Sequence, residues 1–149
     1  MQGDALMKSN VRREKMRIYF AHSKKLDYEK EYYEPIENSK LLKQHELIFP
    51  HKVARDSYYS RDFYRGLDLV IAEVSYPGTG LGIEIGWIYD DKTPLYCLHK
   101  NGMVSSLSLR SATENIIEYD SIQEMVDIIE DIIKNEKLSN NIDVPKDIC

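Results

Sequence analysis

The chain has few of the residues that build metal centres, disulfide frameworks or membrane spans. It has two cysteines in 149 residues, Cys97 inside an apolar run and Cys149 at the last position. This placement provides neither a disulfide framework nor a metal-ligand spacing, and the four histidines are scattered. No apolar run approaches the roughly 18 residues that a membrane span needs. We therefore expect no metal, no cofactor and no insertion into a membrane.

Positive charge is also scarce. The net charge is −5 and the pI is about 5.4. Binding to a phosphate backbone needs clustered lysine and arginine, so a nucleic-acid polymer is excluded as a partner while a small nucleoside or nucleotide is not. Lys8, Arg12 and Arg13 are not followed by an apolar segment, which predicts a protein without a secretory signal that stays in the cytoplasm.

The composition suits one soluble globular domain. Hydrophobic residues make up 42% of the chain and charged residues 30%, and a chain of this length can bury a sizeable core without crosslinks. We expect a polar, flexible arm over residues 1–15, a folded domain over 16–135 and a polar tail over 136–149.

One stretch, residues 68–87, organises the rest. Leu69 to Val74 is a short, β-branched apolar run typical of a central parallel strand. The glycines and proline between Ser75 and Gly82 predict a turn. Glu84 then falls in the first turn of a predicted helix, where unpaired N–H groups and the helix dipole favour an ionised carboxylate.

Strands and helices alternate along the chain. Strands are predicted over 16–21, 46–50, 69–74, 93–99 and 115–119. Helices are predicted loosely over 26–43 with a weak point at Pro35, from an Asp56–Ser57 cap toward Gly66, and from a Ser121/Glu124 capping box to about Asn135. This alternation predicts an α/β fold, a Rossmann-like or flavodoxin-like three-layer sandwich with a five-stranded parallel sheet of order 2-1-3-4-5.

In that order the turns after strands one and three face each other. The topology therefore places Tyr19, His22, Ser23, Thr79 and Glu84 in one crevice. Interpretations without a catalytic role stay open for these residues. The glycines can form a plain strand-to-helix connection, Glu84 can simply complement a helix end, and the tyrosines, Tyr64 among them, can pack helix faces or line a pocket for a flat base.

For the other candidate residues, the sequence pattern favours structural roles. A dinucleotide fingerprint is incomplete, because Ile83 and Ile85 stand where a third glycine would be needed. Ser23 is more typical of a turn or cap than of a nucleophile, since no nucleophile-elbow motif surrounds it. Asp68 and Glu73 flank or lie inside the third strand, where we expect structural pairing.

The residues from Asp68 to Gly86, D-L-V-I-A-E-V-S-x-P-x-x-G-x-G-x-E-x-G, resemble the signature of the nucleoside 2-deoxyribosyltransferase-like family. That family includes deoxyribosyltransferases and deoxynucleoside monophosphate N-glycosidases. A weaker likeness runs from Ile18 through the last helix. The resemblance implies a Rossmann-like sheet, homodimers or higher homo-oligomers with shared active sites, and a glutamate nucleophile, which by motif is Glu84.

The resemblance also implies an activity. It is cleavage or transfer of the N-glycosidic bond of 2-deoxynucleosides or their 5-monophosphates through a covalent glycosyl-glutamate intermediate. Tyr19 matches a tyrosine that orients the nucleophile. Asp62 best matches the general acid, with Asp56 as its rival. The implied substrate-binding residues are His22, Ser23, Gly78, Thr79, Gly80, Gly82 and Ser106, the last donated to a neighbouring subunit.

The chain departs from both subfamilies. Its first loop reads His22-Ser23-Lys24-Lys25-Leu26, where the monophosphate glycosidases have glycines and an arginine, so a lysine would have to supply the charge for a phosphate. Gly78 and Thr79 replace the usual serine or aspartate. A non-catalytic nucleotide-binding module of the same fold is therefore the alternative.

Overall fold

The computed structural model describes residues 15–52, 60–103 and 106–141. Its centre is a sheet of five parallel strands, β1 (Arg17–His22), β2 (Glu46–Ile48), β3 (Leu69–Glu73), β4 (Leu95–Lys100) and β5 (Ile116–Tyr119). The strand order is β2-β1-β3-β4-β5. The predicted fold class and strand order are confirmed.

Helices cover both faces of this sheet. They are the short α1 (Glu34–Glu37), which continues a π-helical turn over Glu29–Tyr33, then α2 (Thr79–Asp90) and α3 (Ile122–Asn141). Among the described residues, four 3-10 segments lie between these elements: Leu42–Gln44, Pro50–Lys52, Arg61–Gly66 and Leu107–Ser111. Within the described part of the chain, every helix is too short or too polar to span a bilayer.

Successive side chains of each strand point into two separate hydrophobic cores, one on each face of the sheet. Ile18, Phe20 and Ile71 point to the face covered by α1 and α3. Tyr19 and Ala72 point to the face covered by α2 and the Arg61–Gly66 segment. Because successive side chains of a strand point to opposite faces, a strand buried on both sides reads as an unbroken apolar run. This explains the Leu69–Val74 pattern.

The carboxyl ends of β1 and β3 lie side by side. Ala21 pairs with Ala72 and His22 with Glu73 in the parallel register. The chain leaves both strands at the same edge of the sheet, so the two following turns are neighbours, as the predicted order requires.

Helix α2 begins earlier than the sequence predicts. It starts at Thr79, so Gly80 and Gly82 lie inside the helix and Glu84 lies in its second turn, with no acidic residue in the first. The prediction of a turn reaching Gly82 is wrong at this point. Glycine costs only about 1 kcal/mol in a helix, and burial of Leu81 and Ile88 against the sheet outweighs that cost. Glu84 therefore lies one turn beyond the unpaired N–H groups at the helix N-terminus.

The helices around Pro35 and at the end of the described chain also bear on the predictions. The helical run continues through Pro35, and it changes from a π-helical to an α-helical turn between Tyr33 and Glu34, next to the predicted weak point. Helix α3 begins with the predicted cap, Glu124 N–H to Ser121 Oγ at 3.1 Å, but continues to Asn141, past the predicted end near Asn135. Tyr96 of β4 donates to Glu136 Oε1 at 2.5 Å, which fastens the added turn to the sheet.

Candidate active site

The turns after β1 and β3 pack directly against each other. Ser23 Oγ donates to the carbonyl of Pro77 at 3.3 Å and accepts the N–H of Lys25 at 3.3 Å. A Cβ on Gly78 would lie 3.2 Å from Ser23 Oγ, so this close approach favours glycine. Ser23 thus joins the turn after β1 to the turn after β3 by a side-chain hydrogen bond.

Of the residues that the structure describes, Glu84 is one of two buried carboxylates near this edge of the sheet, the other being Glu73. Glu84 is 6% exposed, and its Oε1 accepts hydrogen bonds from Tyr19 Oη and Tyr64 Oη, both at 2.9 Å. Tyr19 lies on β1 and Tyr64 on the Arg61–Gly66 segment, so two separate elements meet on one oxygen. Hydrogen bonds donated to a carboxylate stabilise its charged form. The predicted proximity of Tyr19 and Glu84 is present in the structure.

Tyr64 is the residue that sequence reasoning missed. The sequence predicts that Tyr64 packs a helix face or lines a pocket for a base, whereas in the structure its hydroxyl donates to Glu84. Its ring packs edge-to-face on Tyr19 with centroids 5.5 Å apart. The available signal was an aromatic residue just ahead of β3, but neither spacing nor periodicity shows that its hydroxyl reaches residue 84.

His22 is held as a neutral imidazole. Burial lowers its pKa to about 4. Nδ1 lies 2.9 Å from the carbonyl oxygen of Ser23, which can only accept, so Nδ1 carries the proton. Nε2 then accepts the hydroxyl of Tyr33 at 2.5 Å, and the ring stacks on Tyr28. Both nitrogens have partners within the protein, and the role of His22 in substrate binding stays a prediction.

Asp62 faces solvent. Its side chain is 79% exposed and forms an ion pair with Arg65. It lies two residues before Tyr64 on the same segment, but Tyr64 is the side chain that this segment turns toward Glu84. The role of Asp62 as general acid stays a prediction, and its rival Asp56 lies outside the described residues.

The remaining predicted residues lie on another side of α2. A cleft of about 580 Å³ separates α2 from the Leu107–Ser111 segment, and Gly78, Gly82 and Ser106 line it. Thr79 and Gly80 are exposed in the first turn of α2. Glu84 points instead toward Tyr19 and Tyr64. The structure thus divides the predicted site into a carboxylate centre and an adjoining cleft.

Two further carboxylates are structural, as expected. Glu73 accepts the backbone N–H of Ser75 at 2.6 Å, its hydroxyl at 3.0 Å, and the hydroxyl of Tyr119. Asp68 accepts the backbone N–H of Arg17 at 2.8 Å. Across residues 15–52, 60–103 and 106–141, no cluster of three or more His, Cys, Asp or Glu side chains could hold a metal ion.

Fold and site together define the class: a parallel α/β protein with a buried glutamate on the helix after β3, which accepts hydrogen bonds from a tyrosine of β1 and a tyrosine ahead of β3. No family model matches the chain. It is 31% identical over 88 residues to a Syntrophotalea carbinolica protein named as a 2'-deoxynucleoside 5'-phosphate N-hydrolase, covering 57% of this chain and 59% of that one. It is 32% identical over 81 residues to a Tetraodon nigroviridis 5-hydroxymethyl-dUMP N-hydrolase, covering 51% and 57%.

Two solved structures show the same fold. A conserved protein from Enterococcus faecalis superposes with a TM-score of 0.59 at 17% identity, covering 79% of this chain and 99% of its own. A Clostridium botulinum CMP N-glycosidase gives 0.55 at 19% identity, covering 76% and 98%. The chain spans less than two-thirds of the curated relatives that it matches. The names of the two curated relatives agree with the resemblance to the nucleoside 2-deoxyribosyltransferase-like family, and the two solved structures show the fold.

Proposed function

We propose that this protein cleaves the N-glycosidic bond of 2'-deoxynucleoside 5'-monophosphates, with Glu84 as the nucleophile. The observation that carries the proposal is the buried carboxylate of Glu84, held on one oxygen by the hydroxyls of Tyr19 and Tyr64. The names of the two curated relatives support the reaction class, because both are N-hydrolases of deoxynucleotides.

The chemistry follows from a carboxylate held in place. Glu84 attacks C1' of the deoxyribose as the bond from C1' to the base nitrogen breaks, and the base leaves with the electron pair and takes a proton from a general acid. Water then gives a proton to the conjugate base of that acid as its oxygen attacks C1' of the glycosyl-enzyme, and the sugar phosphate and the free carboxylate are released. A second base in place of water would give transfer. The two tyrosines order the carboxylate before substrate arrives, which lowers the entropic part of the barrier.

The acid and the phosphate contacts belong to the same proposal. Asp62 is our candidate acid, with Asp56 as the alternative. Lys24 and Lys25 lie exposed in the turn after β1, where an ammonium group can meet a 5'-phosphate. Ser23, Gly78 and the first turn of α2 would then form the wall along the sugar.

The test is incubation with a panel of deoxynucleosides and deoxynucleotides, with and without an acceptor base. We expect release of free base from monophosphates and loss of at least about 1,000-fold in kcat for Glu84→Gln, which keeps the shape and removes the nucleophilic charge. Glu118→Gln, at an exposed position of β5, is the matched control. Mass spectrometry should detect a sugar adduct on Glu84. Full activity of Glu84→Gln would remove this mechanism.

A non-catalytic nucleotide-binding module is the second candidate. It is favoured by the first loop, which lacks glycines and whose His22 is occupied by Ser23 and Tyr33. Saturable nucleotide binding without base release and without an adduct would support this function over the first.

We further propose a homo-oligomer in which Ser106 reaches the site of a neighbouring subunit. Tyr89 and Leu107 support it, because they are apolar, 60% and 75% exposed, and lie near the cleft that Ser106 lines. Light scattering on Leu107→Asp against the unaltered protein tests it, and a monomeric mass for both would contradict it. The cytoplasmic location stays a prediction.

A further inference from the structure

The Arg61–Gly66 segment is fastened to α2 at two points. At one, the guanidinium of Arg61 binds the carboxylate of Asp91 at 2.7 and 2.8 Å and Asp90 at 3.1 Å. At the other, the hydroxyl of Tyr64 binds Glu84. Positions 84 and 91 are two helical turns apart and so lie on one side of α2. The segment therefore runs along the helix that carries the candidate nucleophile.

The ring of Tyr64 has little freedom to move away. It is buried, and it packs against Tyr19, Phe63 and Trp87 with centroid distances of 5.5, 5.3 and 5.3 Å. Arg61 also lies over Trp87, 5.9 Å from the ring centroid. These contacts fix the direction of the Tyr64 hydroxyl, because a buried ring surrounded by other rings cannot change rotamer without displacing them.

Tyr19 and Tyr64 donate to Glu84 from two different elements. Each donor restricts rotation of the carboxyl group about its last torsion angle and stabilises the charged form. Tyr19 comes from the rigid centre of the sheet, and Tyr64 comes from a segment clamped to the same helix as Glu84. The two hydroxyls that bind Oε1 are therefore held in place by two different elements.

We propose that Tyr64 is a positioning residue for Glu84, and that the Arg61–Asp91 ion pair sets the position from which Tyr64 acts. The inference rests on the proposed function in that Glu84 is the group being positioned. It adds a residue that the family motif between Asp68 and Gly86 does not contain. The contribution of Tyr64 is to keep the carboxylate charged and aligned for attack, without touching substrate itself.

The experiment compares Tyr64→Phe with Tyr32→Phe. The control is matched because Tyr32 is also buried and its hydroxyl also donates within the protein, to the carbonyl of Ile71 at 2.9 Å, in the core on the other face of the sheet. We expect similar loss of thermal stability in both variants. Only Tyr64→Phe should lower kcat by about tenfold, with KM changed less than about twofold, the effect of one hydrogen bond to a charged acceptor.

Two further readouts separate positioning from general structural damage. The acidic limb of the pH–rate profile should move up by about one pH unit in Tyr64→Phe and stay in place in Tyr32→Phe. The ¹³C signal of the Glu84 carboxyl, assigned with Glu84→Gln, should titrate at correspondingly higher pH. Arg61→Lys, which loses the bidentate geometry, should shift both readouts the same way by a smaller amount.

The outcomes distinguish this inference from the proposed function. If the protein releases no base but the Glu84 signal shifts in Tyr64→Phe, the proposed function fails and the positioning role stands. If base is released and Tyr64→Phe matches Tyr32→Phe in kcat, pH profile and carboxyl titration, the positioning role is overturned. Circular dichroism of each variant confirms that folded protein is compared.

Discussion

The buried histidine at the end of β1 makes the stability of this protein sensitive to mild acid. His22 has its pKa lowered to about 4 from an ordinary 6.5, first of all by burial, with the nearby charge of His51 adding to the effect. In the folded protein its Nε2 accepts the Tyr33 hydroxyl, and protonation at that nitrogen would place a charge in a buried site and require this hydrogen bond to reverse its direction. The unfolded chain has neither constraint and takes up the proton more readily.

The sign and size of the pH effect on the free energy of unfolding follow from the difference between the pKa of His22 in the folded and in the unfolded state. Between pH 6.5 and about pH 4, His22 is protonated in the unfolded state and neutral in the folded state. The stability that neutral His22 contributes is therefore fully present above pH 6.5 and is lost as the pH falls. A difference of about 2.5 pKa units, multiplied by 1.36 kcal/mol per unit, gives about 3 kcal/mol. That is a large part of the 5–15 kcal/mol typical of a domain.

The assay is urea unfolding of the protein and of His22→Asn from about pH 7.5 to about pH 4.5. The variant loses the Tyr33 bond at every pH, so it starts less stable. Its free energy of unfolding should fall less steeply, and the two curves should converge by about 3 kcal/mol toward pH 4. His99→Asn is the matched control, because Nδ1 of His99 also bonds the next carbonyl, that of Lys100, but the ring is only half-buried. Parallel curves for the protein and His22→Asn would refute the reasoning.

Two more predictions concern the candidate site. Asp62→Asn should lower kcat for base release by about 100-fold or more if Asp62 protonates the leaving base, and unchanged turnover would assign that role elsewhere, with Asp56 next to be tested. Gly78→Ala should cost about 1 kcal/mol in urea unfolding, because its Cβ would lie 3.2 Å from Ser23 Oγ. Gly78→Ala should cost less in a Ser23→Gly background than in the unaltered protein, and an equal cost in both backgrounds would show that the contact is not the cause.

The pattern of apolar residues was enough to predict the sheet. Each of the central strands is buried on both faces, and a run such as Leu69–Val74 can be satisfied only between two layers of helices. Short strands separated by helical patterns then leave few topologies open, since parallel strands need right-handed crossovers. The strand order followed, and with it the meeting of the turns that carry Ser23 and Gly78.

The start of α2 could not be predicted in the same way. Glycine has a low helix propensity, and α2 contains three glycines, Gly80, Gly82 and Gly86. What outweighs this low propensity is the packing of Leu81, Ile85 and Ile88 on the sheet, which is a tertiary term. The position of Glu84 within the helix, and hence what surrounds its carboxylate, depended on this term.

The sequence by itself determined the architecture, the residue types at the crevice and the identity of the candidate nucleophile, because periodicity and a local motif are written in neighbouring positions. Only the tertiary structure decided that Tyr64 joins Tyr19 on Glu84, that Asp62 turns to solvent with Arg65, and that Ser106 lines a separate cleft with Gly82. Such contacts join residues many positions apart through the exact direction of side chains, and no periodicity along the chain specifies that direction.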